Sequence, residues 1–165
     1  MRVIPRIDVR GPNVIKGIHL EGVRIVGKPN EMALKYAADG ADEILFMDVV
    51  ASLYGRDNIL SVVREAARDI FIPLTVGGGI RTIDDVVATL RSGADKVAVN
   101  TAAIENPDFL SQAARSLGSQ CMVVSIEAKR QGDWWEAFTH NGREHTGRDV
   151  LDWAAEAEQL GAGEI

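Results

Sequence analysis

Five short runs rich in β-branched residues recur along the chain with amphipathic stretches between them: "RVIPRIDV", "EILFMDV", "PLTVGG", "KVAVN" and "CMVVSIEA". Near-continuous apolar runs of this length belong to a parallel sheet buried on both faces. The segments between them carry helix punctuation. Pro29 suits the first turn of "NEMALKYAADG" and Gly40 its end, while Asp57 precedes "NILSVVREAARDI". Thr82 with Asp85, and Thr146 with Asp149, have capping-box spacing with Asp in place of Glu. Asn106-Pro107 opens "DFLSQAARSLG", which Gly118 closes. Repeated βαβ units leave two architectures, an open doubly wound sheet or a closed (β/α)8 barrel.

An internal repeat chooses between them. "RIDVRG" from Arg6 resembles "SIEAKR" from Ser125, each with a carboxylate third, at Asp8 and Glu127. Gly-Ala follows at Gly40 and at Gly161, so both offsets are close to 120 residues. Two such halves make a barrel of roughly 240 to 250 residues. The expected fold is therefore α/β, a (β/α)8 TIM barrel, with this chain covering about five and a half βα units. Residues 1–165 are read as a single incomplete domain, its first half about 1–120 and its second starting about 121–165. Gly-Ala precedes apolar runs in "DGADEILFMD" and "SGADKVAVN", and a third copy stops at "LGAGEI". Ile165 is thus expected inside a sixth barrel strand and the chain is expected to be a fragment. Its unpaired strand edges predict self-association.

Composition excludes other classes. A net charge of −6 without basic blocks argues against nucleic-acid or membrane-surface partners. No apolar run approaches a membrane span, and "MRVIPRID" is no signal peptide. The single Cys121 opens an apolar run, reads as a buried side chain and suits a reducing cytoplasm. "GDWWEAFTHNGREHTG" reads as a hairpin turning at Asn141-Gly142, with Trp134, Trp135 and Phe138 covering the barrel edge. His140 and His145 flank the turn and are not read as metal ligands. No Cys/His/Asp cluster has metal-ligand spacing, so neither metal nor cofactor is expected.

The chemistry of a parallel barrel sits at the C-terminal strand ends. Those ends fall at Asp8, Asp48, Gly77-Gly78-Gly79, Asn100-Thr101 and Glu127. Strands 1 and 5 stand opposite each other, so Asp8 and Glu127 are expected to face across the mouth as general acid and general base. The other reading, carboxylates that only cap helices or bind loop amides, stays open. "TVGGGIRT" offers unhindered backbone N–H groups just before a helix, an anion site that Asn100 and Thr101 would complete. Lys16, in the long and glycine-flanked segment "NVIKGIHLEG", is either a mobile ligand for phosphate or carbonyl oxygen or simply solvated. At the opposite ends, Arg2, Glu43, Lys96 and Glu164 either form an ion-paired ring closing the barrel floor or splay into water. Glu43 and Asp48 differ in parity, so both face inward only if their strand bulges.

With these residues in hand, the chain resembles the cyclase subunit family of imidazole glycerol phosphate synthase, the ammonia-using (β/α)8 barrel of histidine biosynthesis. The resemblance rests on "IDV…VIKG", "DEILFMDVVAS", "TVGGGI", "GADKVAVNTAAIENP", "LGSQ", "AKR" and "GAGEI". It implies that Asp8 and Glu127 are the catalytic carboxylates as ammonia attacks a phosphoribulosyl formimino substrate. The products are imidazole glycerol phosphate and an aminoimidazole carboxamide ribotide. It also implies that Lys16 and Asp48 line the site, and that Gly79, beside Gly78, forms a phosphate site with Asn100 and Thr101. Arg2, Glu43, Lys96 and Glu164 match a gate admitting ammonia from a glutaminase docked as a heterodimer on the barrel floor, with Asp95 at that interface. The chain departs from the family in two respects: the family has Asp where this sequence has Glu127, and the family's second-half phosphate site, after strands 7 and 8, is missing from these residues. Two alternatives stand beside the cyclase, the sister isomerase of the same pathway and a non-catalytic or paralogous barrel partner of a glutaminase.

Overall fold

Strand β1 (Arg6–Arg10) buries Ile7 and Val9 and exposes Arg6 and Arg10, an alternation that sets the two faces of the sheet from its first residues. The computed structural model describes residues 1–18, 22–49 and 57–165. The end of "DEILFMDVVAS" and the "HLE" of "NVIKGIHLEG" lie outside the described residues. The chain divides into two compact units, Met1–Gly79 with Val87–Val97, and Ile80–Val86 with Ala98–Ile165.

In the first unit β1 is followed by an antiparallel pair, β2 (Asn13–Ile18) and β3 (Gly22–Gly27). The segment expected to be a mobile connection is therefore strand, because β1 and β3 supply partners on either side of β2 for its backbone groups. Helix α1 (Pro29–Ala38) starts on its proline as expected. Strand β4 (Ile44–Asp48) then pairs in parallel with β1, and β5 (Leu74–Gly77), reached through α2 (Asp57–Asp69), pairs in parallel with β4. Helix α3 (Ile83–Arg91) leads to β6 (Lys96–Val99). Parallel strands joined through helices are the (β/α)8 pattern. The core of this unit joins Ile7 and Val9 to Ile44, Phe46, Leu74 and Val76 from the strands and to Ile59, Val63 and Ala66 from α2. Each large apolar side chain so buried contributes about 1.5–3 kcal/mol. On the other face Asp8, Leu45 and Met47 are partly buried, whereas Thr75 of β5, opposite Leu45, is buried.

In the second unit β6 ends beside a short helix α4 (Thr101–Glu105), which the sequence reading lacks, and then α5 (Pro107–Leu117). A single 3-10 turn (Ser119–Cys121) leads into β7 (Met122–Val124). The run "CMVVSIEA" does not continue as one strand. Ser125 still donates to Val99, but Glu127 begins β8 (Glu127–Gln131) in a separate antiparallel sheet with β9 (Trp134–Thr139) and β10 (Glu144–Asp149). The hairpin expected at Asn141-Gly142 is present between β9 and β10. Phe138 is buried within it, whereas Trp134 and Trp135 stay exposed rather than covering an edge. Helix α6 (Val150–Gln159) packs on β9 and β10 through the buried Trp153 and Ala157. Its N-cap is Asp149, whose carboxylate accepts from Leu151 and Asp152. Thr146 lies in β10, so the capping box expected there is a single cap. The box at Thr82 and Asp85 forms, each side chain accepting from the other's backbone N–H.

The Gly-Ala repeat has one structural meaning in all three copies. Gly40, Gly93 and Gly161 stand just past α1, α3 and α6 with φ of +93°, +110° and +106°, a left-handed turn that favours glycine. Each glycine N–H bonds back three residues, and the alanine after it bonds back five, to Tyr36, Thr89 and Ala157. This is a Schellman helix end. The next residue turns the chain onto a neighbour. Asp42 donates to the carbonyl of Val3 while its carboxylate accepts Val3 N–H at 2.6 Å. Asp95 makes the same pair of bonds with Leu74, both at 2.8 Å. In the third copy Gly163 donates to Met122 at 3.0 Å, and a Cβ there would lie 2.2 Å from the Ser119 carbonyl oxygen, which excludes the aspartate.

Candidate active site

Asp8 stands near the end of β1 with its side chain 38% exposed, and Arg6, two residues earlier on the same face, donates Nε to its Oδ1 at 2.7 Å. Among the described residues Oδ2 has no partner. Arg6 is a residue of this site that motif reading missed, although its spacing of two from Asp8 was the available signal. Asp48 is buried, and the parallel register sets it opposite Val9. It therefore stands on the Val9 face and not on that of Asp8. The register through β4 is regular, so Glu43 and Asp48 are on opposite faces. Lys16 is exposed on β2, opposite Arg24 of β3.

The glycines after β5 have a packing reason of their own. A Cβ on Gly78 would lie 2.1 Å from the Asp48 carbonyl oxygen, and Gly78 and Gly79 have φ of +101° and +65°. The loop thus passes against the end of β4 as only glycine allows.

At the N-terminal ends of the strands of the first unit, the expected floor charges Arg2, Glu43 and Lys96 meet. Glu43 is 3% exposed and receives Lys96 Nζ at 2.8 Å and Arg2 at 3.3 Å on Oε2. Thr75, which sequence reading did not single out, donates its hydroxyl to Oε1. Glu164 belongs to the second unit, where its backbone bridges to β7 beside Val123. Asp95, expected at a partner interface, spends its carboxylate on the Leu74 N–H.

The second unit gathers Asn100, Thr101 and Glu127 around the β9–β10 turn. Glu127 Oε2 accepts from Gly142 N–H at 2.6 Å and from Asn100 Nδ2 at 3.2 Å. The same amide nitrogen donates to the Phe138 carbonyl at 2.9 Å. Thr101 Oγ1 accepts His140 N–H at 3.1 Å. Lys129 donates to the Gly142 carbonyl and lies 4.5 Å above the Phe138 ring. Behind this turn Glu136 is buried, and its carboxylate accepts from Gly147 N–H, His145 Nδ1 and Thr146 N–H. The Gly147 N–H, followed by the His145 ring, holds the Glu136 carboxyl below the usual carboxylate range. Burial pushes the Cys121 thiol up, as fits a structural cysteine. Among the described residues no group of three or more His, Cys, Asp or Glu is placed to hold a metal ion, and no helix is long and apolar enough to cross a membrane.

A family model described as histidine biosynthesis protein matches residues 2–165. An imidazole glycerol phosphate synthase subunit HisF of Legionella pneumophila is 60% identical over 166 residues, covering 100% of this chain and 78% of the relative. A protein of the same name from Myxococcus xanthus is 50% identical over 164 residues, 99% of this chain and 65% of the relative. The chain therefore spans about two-thirds to four-fifths of the length of these two relatives.

Proposed function

We propose, from the premise that this chain belongs to the histidine biosynthesis protein family, that it carries the cyclase chemistry of imidazole glycerol phosphate synthase. The observation that carries this reading is the 60% identity, across the whole chain, to a protein named as that enzyme's HisF subunit. The reading takes Asp8 and Glu127 as the two acid–base groups. Each has one oxygen engaged by donors from its own unit and the other without a partner among the described residues, an arrangement that fixes a carboxylate while leaving it able to exchange a proton. Ammonia adds to the phosphoribulosyl formimino substrate, one carboxylate takes the proton that nitrogen sheds, and the other carboxyl protonates the departing aminoimidazole carboxamide ribotide. The remaining fragment closes to imidazole glycerol phosphate when its new nitrogen condenses with its own ketone, with loss of one water.

Substrate phosphate is assigned to the Gly78-Gly79 loop and Thr101 region, with Lys16 as a further residue of the site and Asp48 bordering it through its backbone carbonyl beside Gly78. The relatives are named as subunits, which supports assembly with a second polypeptide. We read that partner as a glutaminase docked at the end of the chain's strands where Arg2, Glu43 and Lys96 meet, with Asp95 nearby and Glu164 completing the gate. A cytoplasmic location and a single barrel domain with halves near 1–120 and 121–165 belong to the same proposal.

The test is turnover with ammonium salt as nitrogen donor. Asp8→Asn should abolish it, a loss of at least about 10²-fold, with an unchanged circular dichroism spectrum. Near-normal turnover by that variant sinks the role of Asp8. Turnover that needs no ammonia would instead indicate the sister isomerase.

A further inference from the structure

Asn100 sits where a phosphate ligand is expected, yet both of its donor hydrogens are already committed. Nδ2 carries two hydrogens, one directed at Glu127 Oε2 and the other at the Phe138 carbonyl. Both neighbours only accept, so the amide nitrogen and not the oxygen must face them. The remaining atom, Oδ1, is buried without a partner among the described residues. An acceptor oxygen has nothing to offer a phosphate. Thr101 differs, because its Oγ1 accepts from His140 and keeps a hydroxyl hydrogen to donate.

The hairpin turn completes the arrangement. Gly142 N–H reaches Glu127 Oε2 at 2.6 Å, and its carbonyl is held by Lys129, two residues along β8 from Glu127. One residue of the turn is thereby held through its N–H and its carbonyl by the strand that carries the carboxylate. Oε2 takes both donors and Oε1 takes none among the described residues.

We propose that Asn100 and the Gly142 turn position the Glu127 carboxylate, holding Oε2 so that Oε1 is the oxygen that exchanges protons, and that Asn100 is a positioning residue rather than a phosphate ligand. This rests on the reading of Glu127 as an acid–base group. It also accounts for glutamate at this position. Shortening the side chain by one methylene withdraws the carboxylate by about 1 Å or more, out of reach of Gly142 N–H, a displacement of the size that costs about 10²-fold in rate.

Two measurements on the natural gene product test this. In a 1H–15N spectrum the Gly142 amide proton should lie downfield, as a short bond to a carboxylate requires, and should move upfield in Glu127→Asp and in Glu127→Gln. A resonance that stays in place in both variants overturns the grip, whatever the reaction is. In ammonium-dependent turnover Asn100→Ala should lower kcat by about 10²-fold with KM nearly unchanged. Asn100→Asp, which sets a carboxylate against a carboxylate and a carbonyl, should lower it further. A rise in KM at constant kcat makes Asn100 a substrate ligand and overturns the assignment. If wild-type protein shows no ammonium-dependent turnover, the cyclase reading fails, and the Gly142 resonance decides the grip on its own.

Discussion

Lys96 Nζ lies 2.8 Å from Glu43 Oε2, joining the start of β6 to the residue before β4 across 53 positions of sequence. Glu43 is buried, and Arg2 and Thr75 bind the same carboxylate. An ion pair of this kind is costly to break from one side, because the remaining charge keeps its desolvation cost. Arg2 is largely exposed, so its share is small. Glu43→Ala should therefore destabilise by about 1–3 kcal/mol, and Glu43→Gln by less because Thr75 keeps an acceptor. Urea midpoints measure both; equal losses would mean that the charge carries the whole effect and the acceptor for Thr75 contributes nothing.

Gly40 and Gly93 separate two costs that are usually mixed. Both are left-handed, but a Cβ on Gly40 meets nothing within 4 Å, whereas one on Gly93 would lie 2.5 Å from Ala67 Cβ. Gly40→Ala should cost about 1–2 kcal/mol from backbone strain alone. Gly93→Ala should cost about 1–3 kcal/mol more from overpacking. Parallel denaturation curves check the difference, and equal losses would mean that α2 yields freely at Ala67.

The carboxylate of Asp95 is a structural acceptor in this chain. Asp95→Ala leaves the Leu74 N–H without it and should lower stability by about 1–2 kcal/mol. Gly163→Asp should not add the missing clasp to the third copy but should destabilise, since its Cβ would meet the Ser119 carbonyl. A variant at Asp95 that weakens partner docking at unchanged thermal midpoint would favour the interface role instead.

Glu136 gives the second unit an acid-sensitive element. Its folded carboxyl titrates lower than the unfolded one, near 4.3, so between the two values the unfolded chain binds more protons and stability rises with pH. The contribution is fully present above about pH 4.5 and is lost as pH falls through the depressed value. Thermal midpoints measured from about pH 6 down to about pH 3 should fall more steeply in wild type than in Glu136→Gln. Identical slopes would show that the carboxylate is not protected by Gly147 and His145.

Some of these features were legible in the sequence and others were not, for physical reasons. The parallel strands, α1 and α5 with their prolines, the Thr82–Asp85 box and the Asn141-Gly142 turn were readable because each is set by local chemistry. The floor charges were found from their place at strand starts, and Glu43 does meet Arg2 and Lys96. Strand β2 was not readable, since "NVIKGI" becomes a strand only through partners at either side. Glu127 was placed at the end of an unbroken strand because nothing in "VVSIEA" marks the switch from one sheet to another. Its hydrogen bonds to Asn100 and Gly142 span 27 and 15 residues, a distance at which sequence periodicity carries no signal.

The three Gly-Ala helix ends bear on the order in which the chain acquires its structure. Their Schellman bonds span only three to five residues, so they close at small entropic cost and can form while the rest of the chain is loose. The aspartate that follows reaches back 39 residues to Val3 in one copy and 21 to Leu74 in the other. Each of these two copies thus turns a fast local event into the start of a slow distant one, aiming the next strand before that strand has found its neighbour. In this chain, strand pairing is expected to advance as a sequence of such steps, each set in motion by the helix completed just before it.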